Sequence, residues 1–391
     1  MILPPATLGL LGGGQLGRYF VQAALETGYG VWVLDPDPHS PAGQLATRHL
    51  CRAFDDRAAL AELAAHCAVI TAEFENIPPD AIDWLDEHAC LRPGARALRV
   101  AQDRLEEKRF LDGIGVAVAS WRPVVAGVDP CAVSSGGSPL GFPAILKTAR
   151  LGYDGKGQVP IARMEGLGAA HAELGGVDCV LEERVDLERE ISVVLARDGE
   201  GRSEAFPVGE NIHRHGILHL SRVPARVNDE IAGRAVAMAQ RIADALAFEG
   251  VLAVEFFVTA GGELLVNELA PRPHNSGHYT LDACTVSQFA QQLRAVCGLG
   301  LAPARLTTPV AMVNLLGDLW PAQGVGPDWR GVLENGRARL HLYGKAEARP
   351  GRKMGHVNVL GLPGDPDAGA AASVVDGLWQ ELAQAAGRDP A

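Results

Sequence analysis

Apolar runs and amphipathic stretches alternate through the first hundred residues in the order of a parallel α/β sheet. The apolar run at 6–11 is followed by GGGQLG, by an amphipathic stretch to about Thr27, and by the run VWVLD that ends at Asp35. This order predicts a strand, a turn, a helix and a second strand. A further run, AVITAEF, leads into Glu73 and Glu75 at the carboxyl edge of the sheet, where open α/β sheets bind ligands. Surface acids at the start of a loop are the alternative.

Beyond residue 100 the pattern becomes that of an α+β module. One charged helix is predicted through QDRLEEKRFLDGIG. The segment VDPCAVSSGGSPLG after it is predicted to be a surface loop. Short strands are predicted at 144–148, 179–183, 190–196, 204–208 and 217–221, with a helix from about Asp229 to Leu246. The C-terminal part is predicted to contain strands at 311–317, 339–343 and 356–360 and a helix from Asp367 to about Gln384.

Composition narrows the class of protein. With 391 residues, 47% of them hydrophobic, the chain can form two or three packed domains. It has no apolar run of eighteen residues and no secretory signal, so the cytoplasm is the expected compartment and no membrane partner is expected. The net charge of −12 argues against nucleic acid as a partner and requires any anionic substrate to be held by a local cluster of cations. Seven cysteines without a CxxC pair are expected to be reduced.

A glycine-rich loop, KTARLGYDGKGQ at 147–158, is the first candidate site. Glycines at 152, 155 and 157 allow main-chain N–H groups to approach a ligand, and Lys147 and Lys156 add positive charge. Only five of the 35 basic residues are lysines, so two in one loop are informative. The loop predicts a site for the phosphates of a nucleotide, and an ordinary glycine-rich hairpin is the alternative.

Two glutamates are predicted to face each other on a hairpin at 251–268. A two-residue turn at Gly261 and Gly262 would pair Glu255 with Glu268, and like charges across a strand pair are destabilising. A divalent cation between the two carboxylates removes the repulsion, and hard oxygen ligands suit Mg²⁺. Asn267 would point to the opposite face unless a bulge intervenes. A solvated face, or a longer turn that shifts the register, is the alternative.

Two further polar segments are candidate binding sites. LAPRPHNSGHYT follows Glu268 directly and places anion-binding groups beside the predicted metal, which suits an acyl-phosphate intermediate. YGKAEARPGRKMGH concentrates basic residues in a short turn, which suits a substrate phosphate. A polar loop without chemistry and a solvated basic turn are the respective alternatives.

The N-terminal glycines allow a competing interpretation. Gly12, Gly14 and Gly17 fit GxGxxG, and Asp35 follows Gly17 by eighteen residues, near the position of the ribose-binding acid in a dinucleotide-binding domain. An NAD-dependent oxidoreductase is therefore a hypothesis. It leaves the second glycine loop and the paired carboxylates without a role.

Six blocks together resemble the ATP-grasp superfamily and, within it, the branch that carboxylates aminoimidazole ribonucleotide in de novo purine biosynthesis. They are GGGQLGR at 12–18, TAEFENI at 71–77, QDRLEEK at 102–108, GYDGKGQ at 152–158, NELAPRPHNSGH at 267–278 and RPGRKMGH at 349–356. The resemblance implies an α/β and α+β fold: a Rossmann-like domain at 1–100, an ATP-grasp domain at 101–300 with a lid around 120–185, and a small C-terminal domain at 301–391. It also implies a homodimer.

The resemblance implies an ATP- and Mg²⁺-dependent ligase, for which Mn²⁺ is a substitute. Bicarbonate takes the γ-phosphoryl group to give carboxyphosphate, and the amine of aminoimidazole ribonucleotide is carboxylated. The implied ATP-binding residues are Arg104, Lys147, Gly152, Tyr153, Asp154, Gly155, Lys156, Gly157, Gln158, Glu182, Glu183, Arg184, Val185, Glu190, His213, Asn267 and Glu268. Glu255 and Glu268 are the implied metal ligands.

The acceptor side is implied by the same blocks. The implied catalytic residues are Asp154, Arg272, His274, Asn275 and Ser276, and the implied substrate-binding residues are Gln15, Glu73, Tyr153, Lys345 and Arg352. Two residues depart from the family pattern: Arg184 stands in the adenine segment where an apolar residue is usual, and Tyr19 where methionine is common. A sister ligase acting on glycinamide ribonucleotide or biotin, or a non-catalytic nucleotide-binding regulator, remains an alternative.

Overall fold

The computed structural model describes residues 1–129, 140–152, 155–321, 326–362 and 364–387, and its N-terminal part is a parallel sheet flanked by helices. The strands are β1 (Thr7–Leu11), β2 (Gly30–Leu34), β3 (Arg48–Leu50) and β4 (Val69–Ala72), in the order β3-β2-β1-β4. The helices are α1 (Gln15–Glu26), α2 (Arg57–His66), α3 (Pro79–His88) and α4 (Ala95–Gln102). Every residue of β4 is buried, as expected of a parallel strand covered on both faces. The predicted strand, turn, helix and strand are confirmed.

The charged helix predicted through residues 102–115 is confirmed as α5 (Arg104–Gly113), and each end lies within two residues of the predicted bound. α4 ends at Gln102 and α5 begins two residues later. Asp103 between them is extended, and its carboxylate accepts a hydrogen bond of 2.9 Å from the main-chain N–H of Leu105. Because Asp is a strong N-cap, α5 begins after Asp103 as a separate helix and does not continue from α4.

A nine-stranded antiparallel sheet forms the centre of the molecule. Its strands are β9 (Leu187–Arg197), β10 (Ser203–Ala205), β11 (Gly209–Arg214), β12 (Ile217–Val223), β13 (Gly250–Thr259), β14 (Leu264–Ala270), β15 (Val310–Leu316), β16 (Ala338–Leu342) and β17 (Lys353–Leu360). Their order is β14-β13-β9-β11-β12-β15-β17-β16, with β10 paired to β9. The C-terminal strands β15–β17 thus continue the central sheet through the pairing of β15 with β12.

Helices cover this sheet and join it to the N-terminal part. α7 (Asp229–Ala245) packs Ala239 and Ile242 onto β9 and β13, and α11 (Gly369–Ala385) packs onto β15 and β17. α9 (Gln288–Cys297) places Leu293 in one core with Leu8 of β1. Two short helices, α8 (Thr280–Ala283) and α10 (Arg330–Glu334), complete this part. Nowhere in the described ranges is a helix both long and apolar enough to cross a bilayer.

A small antiparallel sheet stands in the region predicted as the lid. Its strands are β5 (Trp121–Val124), β6 (Ala144–Thr148), β7 (Gln158–Ile161) and β8 (Cys179–Glu183), in the order β5-β8-β6-β7, with α6 (Leu167–Glu173) packed on one face. The predicted glycine loop joins β6 to β7. Gly157 in this loop has φ +71°, and a side chain there would lie 2.7 Å from the hydroxyl of Thr148, so the turn requires glycine.

Candidate active site

Two adjoining cavities lie where the three sheets meet. The larger, of about 320 Å³, opens between the small sheet and the central sheet. The smaller, of about 260 Å³, opens between the central sheet and the N-terminal part. Both cavities are lined by the same five residues at their boundary, Arg104, Glu268, His274, Asn275 and Lys353. A group bound in one cavity can therefore react with a group bound in the other.

Most of the predicted nucleotide-binding residues line the larger cavity. They are Arg104, Lys147, Gly155, Lys156, Gln158, Glu182, Glu183, Arg184, Val185, Glu190, His213, Asn267 and Glu268. Apolar wall is supplied by Ile145, Leu187, Leu218 and Phe257, which suits a flat base. Gly152 lines the smaller cavity, and Tyr153 and Asp154 lie outside the described residues.

Glu182 of β8 lies between two lysines in the wall of the larger cavity. Its Oε2 accepts a hydrogen bond of 2.8 Å from Nζ of Lys147, and its Oε1 lies 3.6 Å from Nζ of Lys108. Burial alone would raise the pKa of Glu182, but the two ammonium groups outweigh it and lower the pKa to about 2. The carboxylate is therefore charged at pH 7.

The hairpin of β13 and β14 pairs Glu255 with Glu268, as predicted, although its turn differs. Val258 pairs with Leu264, and the N–H of Thr259 donates to the carbonyl of Glu263 at 3.0 Å, so the turn has three residues, 260–262, rather than two. The register shifts between Glu255 and Phe256. The prediction of a two-residue turn was wrong, and the predicted pairing still holds because one extra residue in β14, Asn267, is absorbed as a bulge. The same bulge lets Asn267 and Glu268 both line the larger cavity.

The paired carboxylates fit a divalent cation. Burial, followed by the charge of Glu268, raises the pKa of Glu255 from 4.5 to about 8. The buried side chain of Asn275, beside both cavities, has neither its amide oxygen nor its amide nitrogen hydrogen-bonded. No cluster of three or more His, Cys, Asp or Glu with metal-binding geometry occurs in the part of the chain that the structure describes. Two carboxylates fit an ion that takes its remaining ligands from substrate phosphates, as Mg²⁺ does.

The predicted catalytic loop after β14 is held by a chain of buried hydroxyls. Ser192 of β9 donates to Ser276, and Oγ of Ser276 lies 2.9 Å from Nδ1 of His274. Nε2 of His274 lies 3.6 Å from Oε1 of Glu255. Burial, and then the charge of Arg272, lowers the pKa of His274 well below its usual value, so the imidazole is neutral at pH 7. A neutral imidazole can accept or donate a hydrogen bond without adding charge.

Arg272 reaches from this loop to the N-terminal part. Its Nε donates to Oε2 of Glu75 at 2.7 Å, and its Nη2 donates to Oε1 of the same carboxylate at 3.3 Å. Both residues line the smaller cavity. The pair thus fixes the guanidinium plane at the boundary between two parts of the chain that are 197 residues apart.

The main-chain N–H groups of the N-terminal glycine loop donate to two carboxylates of the protein itself. Gly14 and Gly17 donate to the carboxylate of Glu73, and Gly13 donates to Asp35 at 2.7 Å. A dinucleotide would need these N–H groups and the carboxylate of Asp35. All of them are already hydrogen-bonded within the protein. Glu73 serves this loop and does not line either cavity, whereas Gln15 lines the smaller cavity.

Lys345 and Arg352 are not brought to the wall of either cavity. Both lie on the segment between β16 and β17, where Nζ of Lys345 donates to the carbonyl of Lys353 at 2.7 Å and Arg352 donates to the carbonyl of Glu347 at 2.9 Å. The amide of Gln44 contacts the carbonyl of Gly344 in the same segment at 3.5 Å, which places the segment against the N-terminal part. Their role in holding a substrate phosphate stays a prediction.

Several lining residues were absent from the predicted set. The smaller cavity includes Glu75, Asn76, Gln102 and Glu107, and both cavities include Lys353. Glu75 and Lys353 lay within motifs already singled out, so a signal existed for them. Asn76, Gln102 and Glu107 also lay within these motifs, but no local pattern predicts the 2.9 Å hydrogen bond from the N–H of Leu269, 162 residues away, that holds Glu107 beside the cavity.

Glu190 and His213 form a pair at the edge of the larger cavity. Nδ1 of His213 lies 2.7 Å from Oε2 of Glu190. Burial lowers the pKa of His213, but the hydrogen bond to Glu190 and its charge outweigh burial and raise the pKa above 6.5. A raised folded-state pKa stabilises the protein below the unfolded-state value and loses that contribution as the pH rises through the folded-state value.

We expect Glu190→Gln to lower the pKa of His213, because the neutral amide no longer favours the imidazolium. Wild type should lose stability as the pH rises through the folded-state pKa of His213, and the variant should show a smaller loss or none. Histidine ring resonances followed by NMR against pH measure the pKa directly. His219, whose pKa is lowered to about 4 mainly by burial, is the internal control and should not move. An unchanged His213 titration would contradict the assigned pair.

Family models match most of the chain in three consecutive parts. A ribonucleotide synthetase preATP-grasp domain matches residues 5–102, an ATP-grasp domain matches residues 109–289, and a phosphoribosylaminoimidazole carboxylase C-terminal domain matches residues 310–364. The cavities lie between these three parts.

Curated relatives match over nearly their whole length. The N5-carboxyaminoimidazole ribonucleotide synthase of Bacillus subtilis is 45% identical over 365 residues, which cover 93% of this chain and 94% of the relative. The enzyme of the same name from Brucella melitensis is 46% identical over 359 residues, which cover 90% of this chain and 96% of the relative.

Solved structures agree with these relatives. An N5-carboxyaminoimidazole ribonucleotide synthetase in complex with ADP superposes with a TM-score of 0.89 at 43% identity, and the match covers 98% of this chain and 99% of the other. The Aspergillus clavatus enzyme in complex with ADP and 5-aminoimidazole ribonucleotide superposes with a TM-score of 0.83 at 29% identity, over 98% of this chain and 99% of the other.

Proposed function

We infer the reaction of this chain from the family to which it belongs, the N5-carboxyaminoimidazole ribonucleotide synthases. The chain is an ATP-dependent carbon–nitrogen ligase of purine biosynthesis. It carboxylates the amine of 5-aminoimidazole ribonucleotide with bicarbonate, through carboxyphosphate, and releases ADP and phosphate. The observation that carries this conclusion is the pair of adjoining cavities with Arg104, Glu268, His274, Asn275 and Lys353 in both walls.

We propose that the larger cavity holds ATP with its phosphates toward that shared wall. Lys147, Lys156 and Arg104 supply positive charge beside the glycine loop, and the segment 182–185 supplies the wall next to the base. Glu190 lies at the edge of the cavity, where its free carboxylate oxygen can accept a ribose hydroxyl. Phosphoryl transfer depends on positioning and charge neutralisation, and this wall provides both.

We propose Mg²⁺ as the metal cofactor, held by Glu255 and Glu268, and the same oxygen ligands suit Mn²⁺. When bound there, the ion neutralises charge on the transferring phosphoryl group. The chain itself contributes Arg272, His274, Asn275 and Ser276 next to these acids. The unpartnered amide of Asn275 and the neutral ring of His274 are suited to orient bicarbonate and then carboxyphosphate.

We propose that 5-aminoimidazole ribonucleotide occupies the smaller cavity, with its amine toward the shared wall. Gln15 and the Arg272–Glu75 pair line that cavity. Both oxygens of Glu75 hold the guanidinium of Arg272 in the wall of this cavity. Lys345 and Arg352 are proposed to bind the ribose phosphate from the neighbouring segment.

The function is tested by ADP release from purified protein with ATP, Mg²⁺ and bicarbonate. We expect turnover that requires 5-aminoimidazole ribonucleotide and gives one ADP for each carboxylated product. Turnover indifferent to the ribonucleotide would keep the ATP-grasp chemistry and reject this acceptor. Binding of a nicotinamide cofactor by the same preparation would reinstate the oxidoreductase hypothesis.

We further propose a homodimer that works in the cytoplasm. The proposal of a dimer rests on the family resemblance, and that of the compartment on the use of ATP and on six free cysteines among the described residues. Size-exclusion chromatography with light scattering tests the dimer, and cell fractionation tests the cytoplasmic location.

A further inference from the structure

Lys108 is a buried lysine that the reaction described above does not use. It lies on α5 with 1% of its side chain exposed, and it lines neither cavity. Lysine is rarely buried to this degree unless its charge is compensated. Its Nζ donates to the main-chain oxygen of Asn267 at 3.1 Å and lies 3.6 Å from Oε1 of Glu182.

These contacts join three elements that build the ATP site. Lys108 belongs to α5, Glu182 belongs to strand β8 of the small sheet, and Asn267 precedes the predicted metal ligand Glu268 on β14. The second oxygen of Glu182 is bound by Lys147 at 2.8 Å. Lys147, unlike Lys108, lines the larger cavity. Glu182 is therefore shared between a lysine at the cavity and a lysine behind it.

The charges of this trio decide what Lys147 can offer a ligand. Two ammonium groups and one carboxylate leave a net charge of one positive unit next to the cavity. If Lys108 were neutral, Glu182 would be paired with Lys147 alone, and the pair would carry no net charge. Because the pair is largely buried, solvent would screen little of this difference.

We propose that Lys108 is a positioning residue of the ATP site: by holding one carboxylate oxygen of Glu182, it leaves Lys147 with charge and hydrogen-bond donors for the nucleotide phosphates. The inference rests on the proposed placement of ATP in the larger cavity. It assigns Lys108 no contact with substrate. Its effect should appear in nucleotide binding and be absent from binding of the ribonucleotide.

Calorimetric titration of the purified enzyme with ADP and Mg²⁺ tests the proposal without turnover. We expect Lys108→Met to raise the Kd for ADP about tenfold, the usual size of the loss of one charge-assisted contact. Arg92→Met is the control, because it also removes a cation that is paired with one carboxylate, that of Glu249 at 2.8 Å, and Arg92 lines neither cavity; its Kd for ADP should stay within twofold of wild type. Equal weakening by both substitutions would overturn the proposal.

A double-mutant cycle with Glu182→Gln separates positioning from a general structural role. In the Glu182→Gln background the two lysines no longer share a charged carboxylate, so Lys108→Met should change the Kd for ADP by less than threefold. A tenfold change in both backgrounds overturns the proposed route through Glu182. Loss of thermal stability in Lys108→Met with an unchanged Kd for ADP overturns it as well.

Lys108→Gln covers the case in which the methionine variant does not fold. Glutamine keeps a donor for the oxygen of Asn267 but supplies no charge, so the Kd for ADP should still rise about tenfold. A wild-type Kd in this variant would overturn the charge argument. ADP release by the wild type is measured in parallel, with and without the ribonucleotide. This assay tests only the proposed function, so its failure can be told apart from failure of the Lys108 proposal.

Discussion

Glu268→Gln should abolish nearly all turnover, with kcat lowered by about 10³-fold or more. The substitution keeps the size of the side chain but removes one of the two charged oxygens that face Glu255 across the β13–β14 pair. Mg²⁺ binds carboxylate far better than amide oxygen, so the cation that neutralises the transferring phosphoryl group would be poorly held. Initial rates of ADP release across a Mg²⁺ titration measure the effect.

The same substitution should not destabilise the metal-free protein, which distinguishes loss of a ligand from misfolding. The pKa of Glu255 is raised from 4.5 to about 8, so the folded protein binds more protons than the unfolded chain over that range. Metal-free wild type therefore loses stability as the pH rises from 4.5 toward 8. Removing the charge of Glu268 lowers the pKa of Glu255 and should make this loss smaller. Thermal unfolding at several pH values checks the sign.

Glu263→Gln is the matched control for this prediction. Glu263 lies on the same hairpin, at the exposed turn before β14, and lines neither of the two cavities. Its substitution makes the same chemical change and should leave kcat within twofold of wild type. If Glu268→Gln retained a tenth of wild-type activity, the assignment of Glu268 as a metal ligand would be wrong.

Local patterns sufficed for the elements that bury a regular apolar face. The first strand, turn, helix and strand, the helix at 229–245 and the strands beside Glu255 all follow period-two or period-3.6 patterns. The sequence did not predict α9, although this helix joins two sheets. Three glutamines, Gln288, Gln291 and Gln292, are fully buried in α9 and hydrogen-bond to distant groups, which hides its apolar periodicity.

The site was predictable to the extent that its residues stand in short motifs. Glu255 and Glu268 could be paired from the spacing of one hairpin, even though the assumed turn was one residue short, because the bulge at Asn267 compensated for it. Contacts between distant segments were not predictable in this way. Arg272 with Glu75, and Lys108 with Glu182, depend on how three sheets pack, and no local pattern encodes that packing.

The two cavities show why the acids and cations are distributed over all three parts of the chain. Glu75 comes from the N-terminal part, Arg104, Glu268 and His274 come from the central part, and Lys353 begins β17 of the C-terminal part. Each cavity is thus lined by more than one part. Closure of these parts around both reactants would exclude water from a carboxyphosphate intermediate, which is hydrolysed rapidly when exposed.

Arg272→Lys should lower kcat/KM for bicarbonate by about 10²-fold while changing the KM for ATP by less than threefold. Lysine keeps the positive charge but cannot bind both oxygens of Glu75 in one plane, so the cation would no longer be fixed in the wall of the smaller cavity. Because ATP is proposed to bind in the larger cavity, which Arg272 does not line, its affinity should change little. Steady-state rates with bicarbonate and ATP varied separately measure both constants.

Arg330→Lys is the control for this change. Arg330 also binds both oxygens of one carboxylate, that of Asp328, but it is exposed and lines neither cavity. Its replacement should leave both constants within twofold of wild type, since an exposed pair contributes little. Equal losses of kcat/KM for bicarbonate and for ATP in Arg272→Lys would mean that Arg272 supports the fold of the whole site. A loss in kcat/KM for bicarbonate without a loss for ATP supports its placement beside the carboxylating species, because Arg272 does not line the cavity proposed for ATP.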